Sequence, residues 1–255
     1  MNNRWTLNNK KALVTGATRG IGRAITQEFL ELGAEVFIVS RNQKDVEILI
    51  KAFKKKNYNV SGIKCDVSER NEREFLLKKI KKDWGILDIL VNNAGTNTRK
   101  KTLENSDEDL DYILNQNMNS VFDLCKKFHP LLKKSGKGSI VNITSVAGIT
   151  SVGTGSPYAM TKAAINHLTR YLSVEWAEDK IRVNAVAPWY IKTSLTKKIL
   201  EDPVKLKAIL DRTPMKRAGE PEEVAAAAAF LSMDSASFIT GEVIAADGGF
   251  LKYGL

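Results

Sequence analysis

The sequence predicts an α/β protein in which a parallel β-sheet is wound on both faces by helices. Three observations carry this. Short runs of strand character alternate with helical patterns from end to end. The connections are short, as parallel strand–helix–strand units require. The first strand runs directly into a glycine-rich turn that opens a helix.

In order, Ala12–Thr15 is the first strand, within the apolar run Lys11-Ala12-Leu13-Val14-Thr15. Gly16-Ala17-Thr18-Arg19-Gly20-Ile21-Gly22 follows, leading into a helix with Ile21, Ala24, Ile25, Phe29 and Leu32 on one side. The next strand is Glu35–Val39, then a helix over Lys44–Lys55, a strand over Val60–Cys65 and a helix over Glu69–Lys82. Asp88–Val91 is the fourth strand, Glu108–Leu132 a long helix and Ser139–Ile143 the fifth strand. Tyr158–Ala177 reads as helix and Arg182–Ala187 as the sixth strand. Pro221–Leu231 and Val243–Ala246 supply the last helix and strand. One excursion, residues 189–220, interrupts the rhythm after the sixth strand. Loops at the carboxyl ends of parallel strands border the ligand crevice, so a substrate lid is expected there.

At 255 residues, without repeats, low-complexity segments or linkers, one domain over residues 1–255 is expected. No stretch approaches a membrane span, and Met1-Asn2-Asn3-Arg4 is followed by no apolar leader, so a cytoplasmic protein without a membrane partner is expected. Cys65 and Cys125 read as buried thiols, and two histidines without a spaced cluster give no metal site. The formal charge is +10. Its basic runs, such as Lys78-Lys79-Ile80-Lys81-Lys82 and Arg99-Lys100-Lys101, are scattered over helix faces and loops. A nucleic-acid groove gathers such residues on one surface with stacking aromatics, so no nucleic-acid partner is expected.

The chemistry is carried by Ser145, Tyr158 and Lys162. Tyr158 and Lys162 sit four apart on one helix and share a face. A neighbouring ammonium lowers the pKa of a phenol, making it a proton donor and acceptor near working pH. Ser145 lies just after the fifth strand, where its hydroxyl can hydrogen-bond a substrate oxygen. The glycine turn presents backbone N–H groups and a helix N-terminus to a phosphate. The second strand runs into Ser40-Arg41-Asn42 with no acid at its tip, and Arg19 lies inside the turn. Acid at that tip favours NAD and arginine accommodates a 2′-phosphate, so NADP(H) is the expected cofactor.

Taken together, these motifs resemble the short-chain dehydrogenase/reductase family from about Leu7 onward. Thr15-Gly16-x-x-x-Gly20-x-Gly22 is similar to its cofactor turn, and Asn92-Asn93-Ala94-Gly95 to its motif after the fourth strand. Asn117, Ser145, Tyr158 and Lys162 match its catalytic tetrad; Thr240-Gly241 and Asp247-Gly248-Gly249 match its C-terminal end. Arg4-Trp5-Thr6-Leu7 and Thr213-Pro214-Met215-Lys216-Arg217-Ala218-Gly219 most resemble tropinone-reductase-like members.

The resemblance implies seven strands in the order 3-2-1-4-5-6-7 and a homo-oligomer. A dimer would form through the Glu108–Leu132 and Tyr158–Ala177 helices, and a tetramer through the C-terminal segment. It implies reversible reduction of a carbonyl to a secondary alcohol: Tyr158 is the acid, Ser145 polarises the carbonyl, Lys162 lowers the Tyr158 pKa and holds the ribose, and Asn117 holds a water. Gly16, Thr18, Gly20, Ile21, Gly22, Ser40, Asp66, Val67, Asn93, Ala94, Gly95, Pro188, Ile191 and Thr193 join Arg19 and Arg41 as implied cofactor contacts.

Trp189 stands where the family has glycine, which calls for a backbone conformation open to any residue and brings a large ring to the crevice. Trp189, Tyr190 and Arg99 are expected to line the substrate pocket. Arg99 would repel the amine of tropinone, so a neutral or anionic ketone fits better. The alternatives are a 3-oxoacyl-thioester reductase, a sugar-acid or polyol dehydrogenase, and a non-catalytic nucleotide-binding regulator.

Overall fold

The structure, a computed structural model, describes residues 4–253; Met1-Asn2-Asn3, on which the expectation about the N-terminus rests, lie outside them. Seven strands form one sheet: β1 (Lys11–Thr15), β2 (Glu35–Ser40), β3 (Val60–Lys64), β4 (Ile89–Asn92), β5 (Gly138–Ile143), β6 (Ile181–Pro188) and β7 (Val243–Ala246). Their order is β3-β2-β1-β4-β5-β6-β7, and every adjacent pair is parallel. Chain direction across the sheet reverses between β1 and β4, the switch point at which such sheets open a crevice beyond their carboxyl ends.

Strand periodicity builds the two halves of the core. Val36 and Ile38 join Phe29 of α1 (Gly20–Glu31), Leu49 of α2 (Gln43–Lys54) and Val224 of α9 (Pro221–Ser232). The intervening Phe37 and Val39 face the other way. There they join Leu76 of α3 (Arg70–Asp83), Phe128 of α5 (Ser120–Ser135) and Ile165 of α6 (Ser156–Glu175). Cys65 and Cys125 are buried and unbridged, and desolvation pushes both thiols up to about 12.

The long helix expected over 108–132 is not continuous. It is α4 (Asp107–Leu114), a π turn over Asn115–Asn119, and α5. Ser120 N–H reaches back to the Asn115 carbonyl, and the Ser120 hydroxyl donates to the Gln116 carbonyl at 2.7 Å. The extra residue in this turn lets Asn117 face inward, where it is wholly buried.

Residues 189–220 hold two short helices, α7 (Lys197–Leu200) and α8 (Pro203–Asp211). The excursion leaves and rejoins the fold at one point. A parallel bridge pairs Ile191 with Gly219, Lys192 N–H donates to the Gly219 carbonyl and Gly219 N–H to the Tyr190 carbonyl. Among the described residues, no helix is long and apolar enough to cross a membrane.

Candidate active site

The carboxyl ends of β1, β4, β5 and β6 enclose a cavity of about 420 Å³ that reaches from the glycine turn to Tyr158. At the turn, Gly16 has φ +63°, a conformation L side chains rarely adopt. Gly22 is needed for space: a Cβ there would lie 2.3 Å from the Gly16 carbonyl oxygen and 2.4 Å from Asn93 Nδ2. Asn93 donates through that Nδ2 to the Thr15 and Gly16 carbonyls at 2.9 and 3.1 Å. The Thr15 hydroxyl accepts from the Asn93 and Ala94 N–H groups, both at 3.0 Å. Thr15 and Asn93 thus hold the turn's shape, and the cavity wall is backbone and small side chains.

Thr18 donates to the Ser40 hydroxyl at 3.0 Å, joining the turn to the tip of β2. Arg19 and Arg41 stand exposed on either side of that junction, and Arg41 Nη1 donates to the Tyr112 hydroxyl at 3.2 Å. Gly20, Ile21, Val67, Ala94 and Gly95 complete this end.

At the other end, β5 leads through Thr144 to Ser145, whose hydroxyl accepts from Ala147 N–H at 3.1 Å and caps the 3-10 turn Val146–Gly148. That turn is pressed onto α6: a Cβ at Gly148 would lie 2.6 Å from the Lys162 carbonyl carbon. Tyr158 is in the first turn of α6, and Ser145 stands near enough to its hydroxyl to favour the phenolate. Lys162 is buried, its ammonium donating to the Ile143 carbonyl at 2.8 Å and lying 5.6 Å from the centroid of the Tyr158 ring. Ser145, Tyr158 and Lys162 are therefore brought together by the close seating of one turn on one helix.

The electrostatics differ from the sequence expectation. Desolvation raises the Tyr158 pKa above its usual 10, opposed by the Ser145 hydroxyl and the charge of Arg99. Lys162 was expected to lower it, but its ammonium stands over the ring and is turned to a carbonyl. Desolvation lowers Lys162 itself to about 8.

Asn117 and Asp66 do not line the cavity. Asn117 exchanges hydrogen bonds with the backbone of Thr96, accepting at 2.9 Å and donating at 2.8 Å, and also donates to Thr161 at 3.4 Å. It braces the loop after β4 against α6. Asp66 accepts from Ser68 N–H and hydroxyl at 3.0 and 2.8 Å. Pro188, Ile191 and Thr193 line the cavity beneath the 189–220 excursion, as do Trp189, Tyr190 and Arg99. Thr96 and Asn97 of the loop after β4 and Leu195 of the excursion also line it, as do Cys65, Gln116 and Thr154, which sequence reasoning missed. Of these, Cys65 and Thr96 adjoin motifs already singled out.

Trp189 takes a backbone conformation that needs no glycine; it is absent from the residues with positive φ. Its ring stacks on Phe250 at 3.8 Å, meets Tyr190 edge-on at 4.6 Å, and its N–H donates to Thr213 at 3.1 Å. Only part of the ring is left for the cavity, so Trp189 mainly fastens the excursion to the segment after β7. Trp189→Ala is expected to cost about 2–3 kcal/mol. Trp189→Phe, which keeps the stack and loses the N–H, should cost about 1 kcal/mol. Urea unfolding midpoints of the three proteins check both figures.

Comparison with known proteins agrees with this architecture. The family model described as Enoyl-(Acyl carrier protein) reductase matches residues 16–251. A tropinone reductase homolog of Arabidopsis thaliana is 50% identical over 252 residues, covering 98% of this chain and 96% of that protein. A gluconate 5-dehydrogenase from Burkholderia cenocepacia, solved with NADP and tartrate, superposes with a TM-score of 0.95 at 30% identity, covering 98% of each chain. A 7α-hydroxysteroid dehydrogenase solved with NADH and a 7-oxo bile acid conjugate gives 0.93 at 32% identity, again covering 98% of each. The glycine turn, the parallel seven-stranded order and these likenesses agree: the chain belongs to the short-chain dehydrogenase/reductase family of oxidoreductases, among its tropinone-reductase-like members.

Proposed function

We propose that the protein is an NADP(H)-dependent reductase that interconverts a ketone and a secondary alcohol. The observation that carries this reading is the cavity itself, with the glycine turn and two exposed arginines at one end and the Ser145–Tyr158 pair at the other. The cofactor fits the residues present. A cradle that Cβ atoms would fill suits a pyrophosphate, the tip of β2 carries no acid, and Arg19 and Arg41 suit a 2′-phosphate. The neighbour holding NADP has the same fold at 30% identity.

When bound, the reduced nicotinamide supplies a hydride. The chain's own residues manage the oxygen. Ser145 donates to the carbonyl oxygen and orients it. Tyr158, kept protonated by its raised pKa, gives its proton as the alkoxide develops. The Lys162 ammonium then stabilises the phenolate left behind, and Asn117 holds the loop that carries Gly95 beside Lys162. Residues 189–220 act as the lid that excludes water. Self-association through α4, α5 and α6 is part of the reading, supported by exposed Tyr112, Phe122, Tyr171 and Val174 on those helices.

A screen of ketones and secondary alcohols with NADPH and NADP⁺ tests the reaction; no turnover of any pair would refute it. The cofactor assignment has its own test. A charge-assisted bond to arginine contributes about 1.5–3 kcal/mol, so Arg41→Ala should weaken NADPH binding roughly 10–100-fold and NADH binding little. The wild type should prefer NADPH, less so as salt rises. Equal affinity for both cofactors would overturn the 2′-phosphate reading.

A further inference from the structure

The cavity is lined by four cationic side chains, Arg19, Arg41, Arg99 and Lys162, and among the described residues by no aspartate or glutamate. Two of these stand at the glycine turn, and Lys162 is spent on the Ile143 carbonyl and the Tyr158 ring. Arg99 alone remains at the substrate end, with no carboxylate paired to it among the described residues.

Its position is built. Arg99 has φ +55°, rare for a residue with a side chain, and its N–H is held by Asn97 Oδ1 at 2.9 Å. Asn97 packs against Gly155, where a Cβ would lie 2.7 Å from the same oxygen. Gly155 N–H donates to the Lys100 carbonyl at 2.9 Å, and the Thr102 and Ser156 hydroxyls meet at 3.0 Å. The loop after β4 is thereby stapled to the start of α6, whose first turn carries Tyr158. The neighbouring Lys100 pairs with Asp109 of α4 and does not line the cavity, nor does Lys101. The basic run therefore divides, one cation facing in and two facing out. Arg99 reaches across the cavity mouth, Nη2 donating to the Leu195 carbonyl at 3.3 Å, and its charge is felt at Tyr158.

We infer that Arg99 is the receptor for a carboxylate on the substrate, so that the natural substrate is a keto acid and not an amine ketone. This rests on the carbonyl-reductase reading and narrows it. A guanidinium in an acid-free cavity matches one carboxylate with two donors and repels an ammonium. Asn97, Thr154 and Tyr190 leave room for further polar groups on the same substrate.

Two measurements test the inference. In the first, NADPH-dependent kinetics compare 3-oxobutanoate, 4-oxopentanoate and 5-oxohexanoate with their methyl esters and with a dimethylamino ketone of matched length. The best acid should exceed its ester at least tenfold in kcat/KM, with the amine poorest. Arg99→Gln should shrink the acid-to-ester ratio about 10–100-fold, and Arg99→Lys should retain part of it. An ester or amine preferred over every acid, or a ratio indifferent to Arg99→Gln, overturns the inference. The second measurement is calorimetric binding of cyclohexanecarboxylate and cyclohexanecarboxamide to the NADP⁺-loaded enzyme. Tighter, Arg99-dependent binding of the carboxylate without turnover of any ketone would sustain the receptor and sink the reductase reading. Binding that ignores charge or Arg99, or is too weak to detect, counts against the receptor.

Discussion

Tyr158→Phe should lower turnover by about 10²–10⁴-fold, the range supplied by a positioned proton donor, while the protein folds and binds NADPH as before. The phenyl ring keeps its place beneath the Lys162 ammonium and on the first turn of α6, so packing is retained. Only the hydroxyl that faces Ser145 is lost. Burial is what makes that hydroxyl suited to reduction: with a pKa above 10 it carries its proton across the neutral range and releases it only to an alkoxide. Single-turnover kinetics together with NADPH titration separate the two properties. A variant retaining a tenth of wild-type turnover would remove Tyr158 from the role of acid.

Lys162→Met should abolish efficient turnover and also change how stability depends on pH. The folded-state pKa of Lys162 is about 8 against an ordinary 10.5, because burial penalises its charge. Between those values the unfolded chain holds a proton that the folded protein has released, so stability rises with pH across that window. The penalty of the buried ammonium is fully present below about pH 8 and is relieved as pH approaches 10.5. Relative to Lys162→Met, the wild type should therefore gain about 2 kcal/mol between pH 7 and pH 10. Urea midpoints of both proteins at the two pH values measure it, since other titrating groups cancel in the difference. A difference that stays constant would mean the ammonium keeps its hydration in the folded protein. Wild-type reduction should also decline above about pH 8, as the charge that stabilises the phenolate is lost.

What was legible in the sequence is what depends on neighbours along the chain. All seven strands lie within a residue or so of their expected ends, because apolar runs bounded by turns mark them locally. The glycine turn and the Tyr158–Lys162 spacing were legible for the same reason. The π turn was not: helical periodicity continues on both sides of Asn115–Asn119, and the extra residue is set by tertiary demands on Asn117. Nor could spacing reveal that the Lys162 ammonium would turn to the Ile143 carbonyl, a partner nineteen residues away. Arg99 and Trp189 illustrate the limit from the other side. Both were expected at the cavity, but the contacts that fix them, to Leu195 and Phe250, join segments far apart in sequence. Asp66 matched the family's pattern, but spacing could not reveal the local turn in which its Oδ1 accepts from Ser68 while Oδ2 takes no part.

The stacked Trp189 also gives the protein a built-in optical reporter. The chain has four tryptophans, and Trp189 alone among them lines the cavity. Trp5 lies on Phe230, Trp84 donates to Glu35, and Trp176 rests by His129, all away from the crevice. Indole emission responds to the polarity of its surroundings and transfers energy to a reduced nicotinamide nearby. Ligand entry should therefore modulate one emitter against a constant background of three. Replacing those three with phenylalanine would leave a single fluorophore at the base of the 189–220 excursion, so that ligand loading could be followed in real time without an added dye.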